Sequence, residues 1–485
     1  MIQMKNRYSF LRLTVWKSMF SGFLILGLFF LLDSCIDDKG NYDYTAPETP
    51  EVTIDSIYYV NLGEQLIVEP KVLFSDKSRL SFHWTIPDPN LMREHEYDGE
   101  KLDIVFALRA QQYNGRLTVT DSHLGMKYFY HFIIQGQSSF SDGIVVLSSD
   151  SGQAKLSFVK RDGTIQGDLY ELMNNGASLP RDPLQIVSLV NTGYAGGIYL
   201  GYWLICADKN DPGVQVDVNT LVKIKHFKEN FFTIPEGEVD AGRFIPLDNG
   251  TMVGIANQKF YAGRFEGYYE WPGYGFFSPP IPGDYLLAPC LEPDAGRSFY
   301  WSYNLKKGAL ICFIPPAGML FNSEHIQGPP MQWDPTNVGL ESDITLLLGG
   351  TGTFYLFGRD AAGTMQELAF MSAGQNVISQ YKREFAHASL IRSTTKWASY
   401  LTEIYFSSGN KVYGYNPNSQ QLSELTAANL QGDVTLLKVG SAGQLIVGTE
   451  GRLYWLNINP GQNGSVIETI SGFDGAPVDI YDRRR

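Results

Sequence analysis

The residue with the most definite chemistry is Cys35. It ends the run Leu31-Leu32-Asp33-Ser34-Cys35. An apolar residue, a small residue and a cysteine follow in the order a bacterial lipobox needs, with Asp33 as an unusual neighbour. The thiol is therefore expected to take a diacylglycerol group. The stretch ahead of it agrees: Lys5, Arg7, Arg12 and Lys17 are basic, and residues 19–32 form an apolar run of 14. A spanning helix needs about 20 apolar residues, whereas this length suits a signal-peptide core. Residues 1–34 read as a lipoprotein signal peptide. Residues 35–49 read as the lipidated cysteine and an acidic, extended tether. No later apolar run is long enough to span a bilayer.

The other reactive residue types do not assemble into a catalytic pattern. The sequence has no HExxH, no GxSxG and no Gly-Lys dipeptide, so the standard zinc-protease, α/β-hydrolase and P-loop signatures fail. Its histidines, at 83, 95, 123, 131, 226, 325 and 387, are not at metal-ligand spacing. Asp208-Lys-Asn-Asp-Pro-Gly213 begins like a calcium loop, but Pro212 takes a ligand position and Asn219 stands where a Glu is needed; an Asx turn is the plainer reading. Cys206, Cys290 and Cys312 remain after processing. Cys290 and Cys312 could pair, or all three could be buried apolar residues on strands. Neither a metal nor a cofactor is expected.

One segment has the composition of a binding surface. Residues 265–285 hold eight aromatics among Gly and Pro. Pro removes donors and Gly weakens regular elements, so the stretch reads as a long loop. Tyr and Trp offer rigid amphipathic faces for sugar rings or peptide side chains. Tyr268, Tyr269, Trp271 and Tyr274 are the candidate ligand-binding residues, and Trp333 could add to the same face. The alternative is an insertion folded back with its aromatics buried.

These residues must be held by strands. The chain has 485 residues, 44% hydrophobic and 18% charged, with Gly 49, Pro 24, Tyr 28 and Phe 29. That excludes a disordered chain or a coiled coil and favours many short strands with tight turns. The net charge of −13, or −16 once residues 1–34 are removed, argues against nucleic acid as a partner. From 50 to 136 the apolar residues alternate, as in Leu80-Ser-Phe-His-Trp-Thr-Ile86, which predicts a β-sandwich with Trp84 in its core. From 140 to 485 a loose unit of turn, aromatic strand and turn recurs, with Tyr261, Tyr300, Tyr355, Tyr413 and Tyr454 as its markers. The expected fold is all-β: an Ig/PKD-like sandwich, then a β-propeller of about seven degenerate blades. A second run of unrelated hairpins is the alternative.

The stretch Tyr113-Asn-Gly-Arg-Leu-Thr-Val-Thr-Asp121 resembles the late-strand motif of PKD domains. With Cys35-Ile-Asp-Asp-Lys-Gly-Asn-Tyr-Asp-Tyr44 ahead of it, the chain resembles the PKD-like surface lipoproteins of Bacteroidota over residues 35–136. The acidic pair after Cys35 is similar to their surface-export signal, although an ordinary linker has the same composition. The resemblance implies an outer-membrane, cell-surface protein anchored through its N-terminal lipid. It would act as an accessory component beside a SusC/SusD-like transporter, binding a glycan or peptide nutrient without catalysis. A propeller-fold glycosidase or lyase is the first alternative. A purely structural protein-interaction lipoprotein is the second.

Overall fold

The computed structural model describes residues 47–484, apart from 89–92, 194–197, 266–272, 316–320, 324–331 and 442. The signal peptide, Cys35 and most of the tether lie outside the described residues, as do Tyr268, Tyr269 and Trp271. What is described is all-β, and its one α-helix is the short Leu169–Met173. Among the described residues no helix is long and apolar enough to cross a membrane.

Residues 51–137 carry nine short strands. Ile57–Asn61 runs parallel to Lys127–Gln137 at the edge of a five-stranded sheet. That sheet continues antiparallel through Gln112–Asp121 and Leu80–Asp88 to Arg93–Asp98. A second pair, Gln65–Val68 with Leu102–Val105, contributes Leu66, Val68 and Leu102 to the core that holds Trp84, Leu117 and Phe132. This is the two-layer packing expected of alternating strands. Trp84 is fully buried, and its indole N–H donates to the Gly99 carbonyl at 2.8 Å. The ring meets Phe132 edge-on at 5.7 Å. Phe132 in turn covers Gly115 so closely that a Cβ there would lie 2.4 Å from the ring. The Tyr113 hydroxyl donates to the Arg109 carbonyl at 3.0 Å, four residues upstream, as in the tyrosine corner of antiparallel sandwiches. At the strand's end the buried Asp121 carboxylate accepts from the His123 N–H at 2.9 Å and from the Arg79 guanidinium. Burial alone would raise this carboxyl; those donors outweigh it and hold it below the ordinary range.

The remainder forms seven antiparallel sheets in chain order. They span 143–166, 183–226, 241–262, 292–323, 340–384, 397–424 and 436–471. Each has four strands except the third, which has three. The first obtains its fourth strand from the other end of the chain: Gly143–Asp150 pairs with Gln153–Lys160 on one side and with Ala476–Asp482 on the other. The leading strands of the second to seventh sheets begin at 183, 241, 292, 340, 397 and 436.

Successive sheets pack face to face. Val145 and Leu147 join Tyr202 and Leu204 of the second sheet. Val187 and Trp203 meet Phe244 of the third, and Val253 and Phe260 meet Phe313 of the fourth. Trp301 packs with Phe354 and Phe370 of the fifth, and Phe357 with Phe406 of the sixth. Tyr405 meets Val447 of the seventh. Finally Ile446 and Trp455 of the seventh sheet pack on Ile144 and Val146 of the first. Both faces of a strand such as Gly143–Asp150 are thus covered, so it reads Gly-Ile-Val-Val-Leu rather than as an alternation.

The tyrosine markers do not occupy one position in these sheets. Tyr300 and Tyr355 lie on second strands, whereas Tyr261, Tyr413 and Tyr454 lie on third strands. Second and third strands are buried alike, so their aromatic patterns match and the marker spacing is uneven. Cys290 and Cys312 are not paired. Both are buried free thiols, as is Cys206, and burial pushes each thiol's pKa up.

A buried ion pair locks the fifth sheet to the sixth. The Glu367 carboxylate accepts two hydrogen bonds from Arg383, at 2.9 and 3.0 Å, and one each from the hydroxyls of Tyr381 at 2.6 Å and Tyr415 at 2.7 Å. Removing the cation leaves a buried carboxylate without its charge partner. Arg383→Ala is therefore expected to cost about 3–5 kcal/mol, read as a lowered urea midpoint. The double variant Glu367→Leu/Arg383→Met should lose clearly less than Arg383→Ala alone.

Candidate functional site

A cavity of about 650 Å³ is ringed by the leading strands. Ser188, Arg243, Glu292, Leu347, Ser399 and Lys438 line it from the second to the seventh sheets, and Asp479 lines it from the strand Ala476–Asp482. The lining takes consecutive residues of these strands, such as Gln185, Ile186, Val187 and Ser188, so their edges rather than one face border the cavity.

Most of these polar groups tie neighbouring sheets together. Lys438 donates to Asp479 at 2.7 Å and to the Ile480 carbonyl at 2.7 Å. The other Asp479 oxygen accepts from the Ile186 N–H at 2.9 Å. The Gln185 amide exchanges two hydrogen bonds with the Phe244 backbone, at 2.8 and 3.0 Å. Ser399 donates to the Leu348 carbonyl at 2.6 Å, and Thr435 to the Pro477 carbonyl at 2.7 Å. Arg243 stands 3.8 Å from Glu292. Burial raises the Glu292 carboxyl, and Arg243 offsets this in part. Burial also lowers the Lys396 ammonium, which lines the same cavity. Such a cavity can hold a polar ligand by hydrogen bonds and charge.

A second cavity, about 480 Å³, contains the described end of the aromatic segment, Tyr274 and Phe276. The Tyr274 hydroxyl donates to the Asn249 carbonyl, and its ring meets Phe265 edge-on at 6.2 Å. Phe277 is buried against Phe231 and Phe244, with its N–H donating to the Asn230 carbonyl at 2.7 Å. This end of the segment therefore folds back on the protein while Tyr274 keeps a partly exposed ring. Trp333 is not beside it. It is buried in the interface of the fourth and fifth sheets, 6.2 Å from Phe370.

Lys225, a residue that sequence reading passed over, lines the same cavity as Tyr274. Its Nζ is 4.5 Å from the Phe276 ring centroid and 5.6 Å from that of Trp203. It donates to Asn230 Oδ1 at 2.7 Å. In Lys223-Ile-Lys-His226 nothing marks one lysine as different; the two rings that cover it come from elsewhere in the chain.

Residues 35–183 match the model of the PKD-like family. The match is less than a third of the chain. It covers the sandwich with its Trp84, Gly115 and Tyr113 contacts and runs on over strands 143–166 of the first of the seven sheets. No curated protein matches the chain. Among solved structures, TolB from Acinetobacter baumannii is similar over 77% of this chain and 80% of its own, at 10% identity and a TM-score of 0.34. That likeness is too loose to carry fold or function across. The Asp208 turn takes its plainer form: the carboxylate accepts from the Asn210 N–H at 3.0 Å.

Burial disfavours the charged form of Lys225 and lowers its pKa to about 8, against a smaller opposing effect of Glu229. The folded chain therefore gives up this proton before the unfolded chain does. The cost that the buried charge puts on folding is therefore relieved as pH rises from about 8 to the ordinary lysine value of 10.5. After reductive ¹³C-methylation, the Lys225 signal should titrate near pH 8, below the ordinary lysine value. Phe276→Ala, which admits water, should move the midpoint upward; a wild-type midpoint above 10 would contradict the assignment.

Proposed function

We propose that this chain is a non-catalytic, lipid-anchored surface protein whose seven sheets form a closed β-propeller around the central cavity. The observation that carries the reading is the cavity ringed by the leading strands. Packing of the seventh sheet on the first supports closure, as does the pairing of Ala476–Asp482 with Gly143–Asp150. The sandwich, with its match to the PKD-like family, would serve as the spacer between lipid and propeller. The ligand would be a glycan or a peptide nutrient. The setting would be the outer-membrane surface of a Bacteroidota cell, beside a SusC/SusD-like transporter.

Docking on such a partner is supported by an apolar area at one edge of the second sheet. Val222 and Ile224 are exposed there, and Asn174 holds the neighbouring helix end, with exposed Leu172, against Leu221 and Lys223. Non-catalytic action is supported by the hydrogen bonds already made by the cavity's ions: Lys438 and Asp479 hold backbone and each other. One observation favours the glycosidase or lyase reading, namely the raised carboxyl of Glu292 beside Arg243. Enzyme action through it would be abolished by Glu292→Gln.

Calorimetry of the detergent-solubilised chain against polysaccharides and peptide digests should give saturable binding without ligand turnover. Turnover lost in Glu292→Gln would establish the enzyme instead. No binding to any member would leave protein interaction as the function. Protease treatment of whole cells should remove the wild-type protein, and Cys35→Ala should leave it unprocessed and shielded. Equal shielding of both would overturn the surface assignment.

A further inference from the structure

In each of the seven sheets the strand that borders the cavity of about 650 Å³ is an end strand. These are Pro183–Asn191, Ala241–Pro246, Glu292–Pro293, Leu340–Leu348, Trp397–Tyr400 and Leu436–Val439 in the second to seventh sheets, and Ala476–Asp482 in the first. An end strand has one edge whose backbone N–H and C=O groups meet no neighbouring strand. Side chains take some of them: Asp479 takes the Ile186 N–H, Gln185 the Phe244 backbone, and Ser399 the Leu348 carbonyl. An edge of this kind offers its remaining donors and acceptors to whatever fills the cavity.

The charged groups of the lining fall into two sets. Lys438 and Asp479 hold each other and the backbone, and Arg297 donates to the Pro246 carbonyl. Asp248 is exposed on the turn that follows Ala241–Pro246. Glu292 and Lys396 are not committed in this way. Among the described residues nothing donates a hydrogen bond to the Glu292 carboxylate, and Arg243 approaches it only to 3.8 Å. The Lys396 ammonium makes neither a hydrogen bond nor an ion pair with any described residue. Lys396 is exposed to water, yet the protein around it is dense enough to lower its ammonium, as befits a side chain on a concave wall. Burial pushes both groups toward their neutral forms, so each gains from a counter-charge.

This lining selects among ligands. A neutral glycan brings hydroxyls but no charge for either group. An acidic glycan satisfies Lys396 and leaves Glu292 without a cation. A peptide brings a cation, a carboxylate and, between them, the amide N–H and C=O groups that a strand edge pairs with. We propose that this cavity binds a short peptide that carries both charges, its cationic group on Glu292, its carboxylate on Lys396 and its backbone along the open strand edges. The inference rests on the binding-protein reading and narrows the ligand from glycan or peptide to peptide.

Calorimetry on the solubilised full-length chain would use a casein digest fractionated to short peptides, in three forms. One is untreated, one is acetylated so that its ammonium groups are lost, and one is methyl-esterified so that its carboxylates are lost. A neutral galactan fragment and oligogalacturonate form the glycan arm. The untreated peptides should bind saturably. Acetylation and esterification should each weaken binding about ten-fold or more, from the loss of a charge-assisted bond. Glu292→Gln should abolish the effect of acetylation and keep that of esterification, and Lys396→Met should do the reverse. The three digests are compared first on the wild-type chain, so the test decides even where a variant folds poorly. Equal binding of all three forms would overturn the proposal, as would blocking effects that persist unchanged in both variants. Glycans binding as tightly as the peptides, or glycan binding with no peptide binding, would overturn it and leave the binding-protein reading intact. Failure of both arms would overturn it and reach that broader reading as well.

Discussion

The strand Gly143–Asp150 has neighbours from both ends of the repeated region, and the rest of the seven-sheet array depends on that pairing. Ile144 lies opposite Asp482 and Val146 opposite Ile480. Without Ala476–Asp482 the first sheet would show an open edge, and the seventh would lose Ile480 from the cluster it shares with Ile144 and Val146. The next residue secures the arrangement. Arg483 is buried, and its guanidinium donates to the Phe140 carbonyl at 3.0 Å, the Tyr202 hydroxyl at 3.2 Å and the Val218 carbonyl at 3.4 Å. One side chain thus joins the chain's end, the segment before the first sheet, and the second sheet. These contacts join residues 265 to 343 positions apart in sequence, so this region has high contact order and should form late in folding.

Covering both faces of nearly every sheet explains which features could be read in the sequence. In the sandwich, turn residues and a single strong aromatic set the pattern, so Trp84 and the Tyr113–Asp121 motif lead directly to contacts seen in the structure. In the seven sheets, buried strands carry continuous apolar runs such as Tyr-Trp-Leu-Ile-Cys206 and Leu-Ile-Cys-Phe313. A run of that kind announces a strand without saying which one it is. The tyrosines therefore suggested a repeat while falling on two different strand positions. Leading strands are the ones that mark the period, but they are polar in part because they line the cavity.

The candidate sites were legible to very different degrees. Tyr274 could be picked out because eight aromatics in a Gly- and Pro-rich stretch are conspicuous in any sequence. Trp333, also conspicuous, went into the interface between sheets, because burying a large ring against Phe370 is the commoner fate of a tryptophan. Lys225 was invisible. A lysine two residues from another on a short strand reads as solvated, and its burial is created by Trp203 and Phe276, which reach it only in the folded chain.

The two cavities divide the work that charge can do. Around the one ringed by the leading strands, cations and carboxylates are present together, and their hydrogen bonds run from one sheet to the next: Lys438 to Asp479, Asp479 to Ile186. A ligand that took Lys438 or Asp479 would compete with bonds that hold the sheets in place, so tight capture through those charges would loosen the frame. The cavity at Lys225 carries no such duty. Its ammonium touches one amide and two rings, and none of those contacts is an ion pair. Burial between an amide and two ring faces, with only a smaller opposing effect of Glu229, makes the charge of Lys225 costlier to keep than that of a solvated lysine.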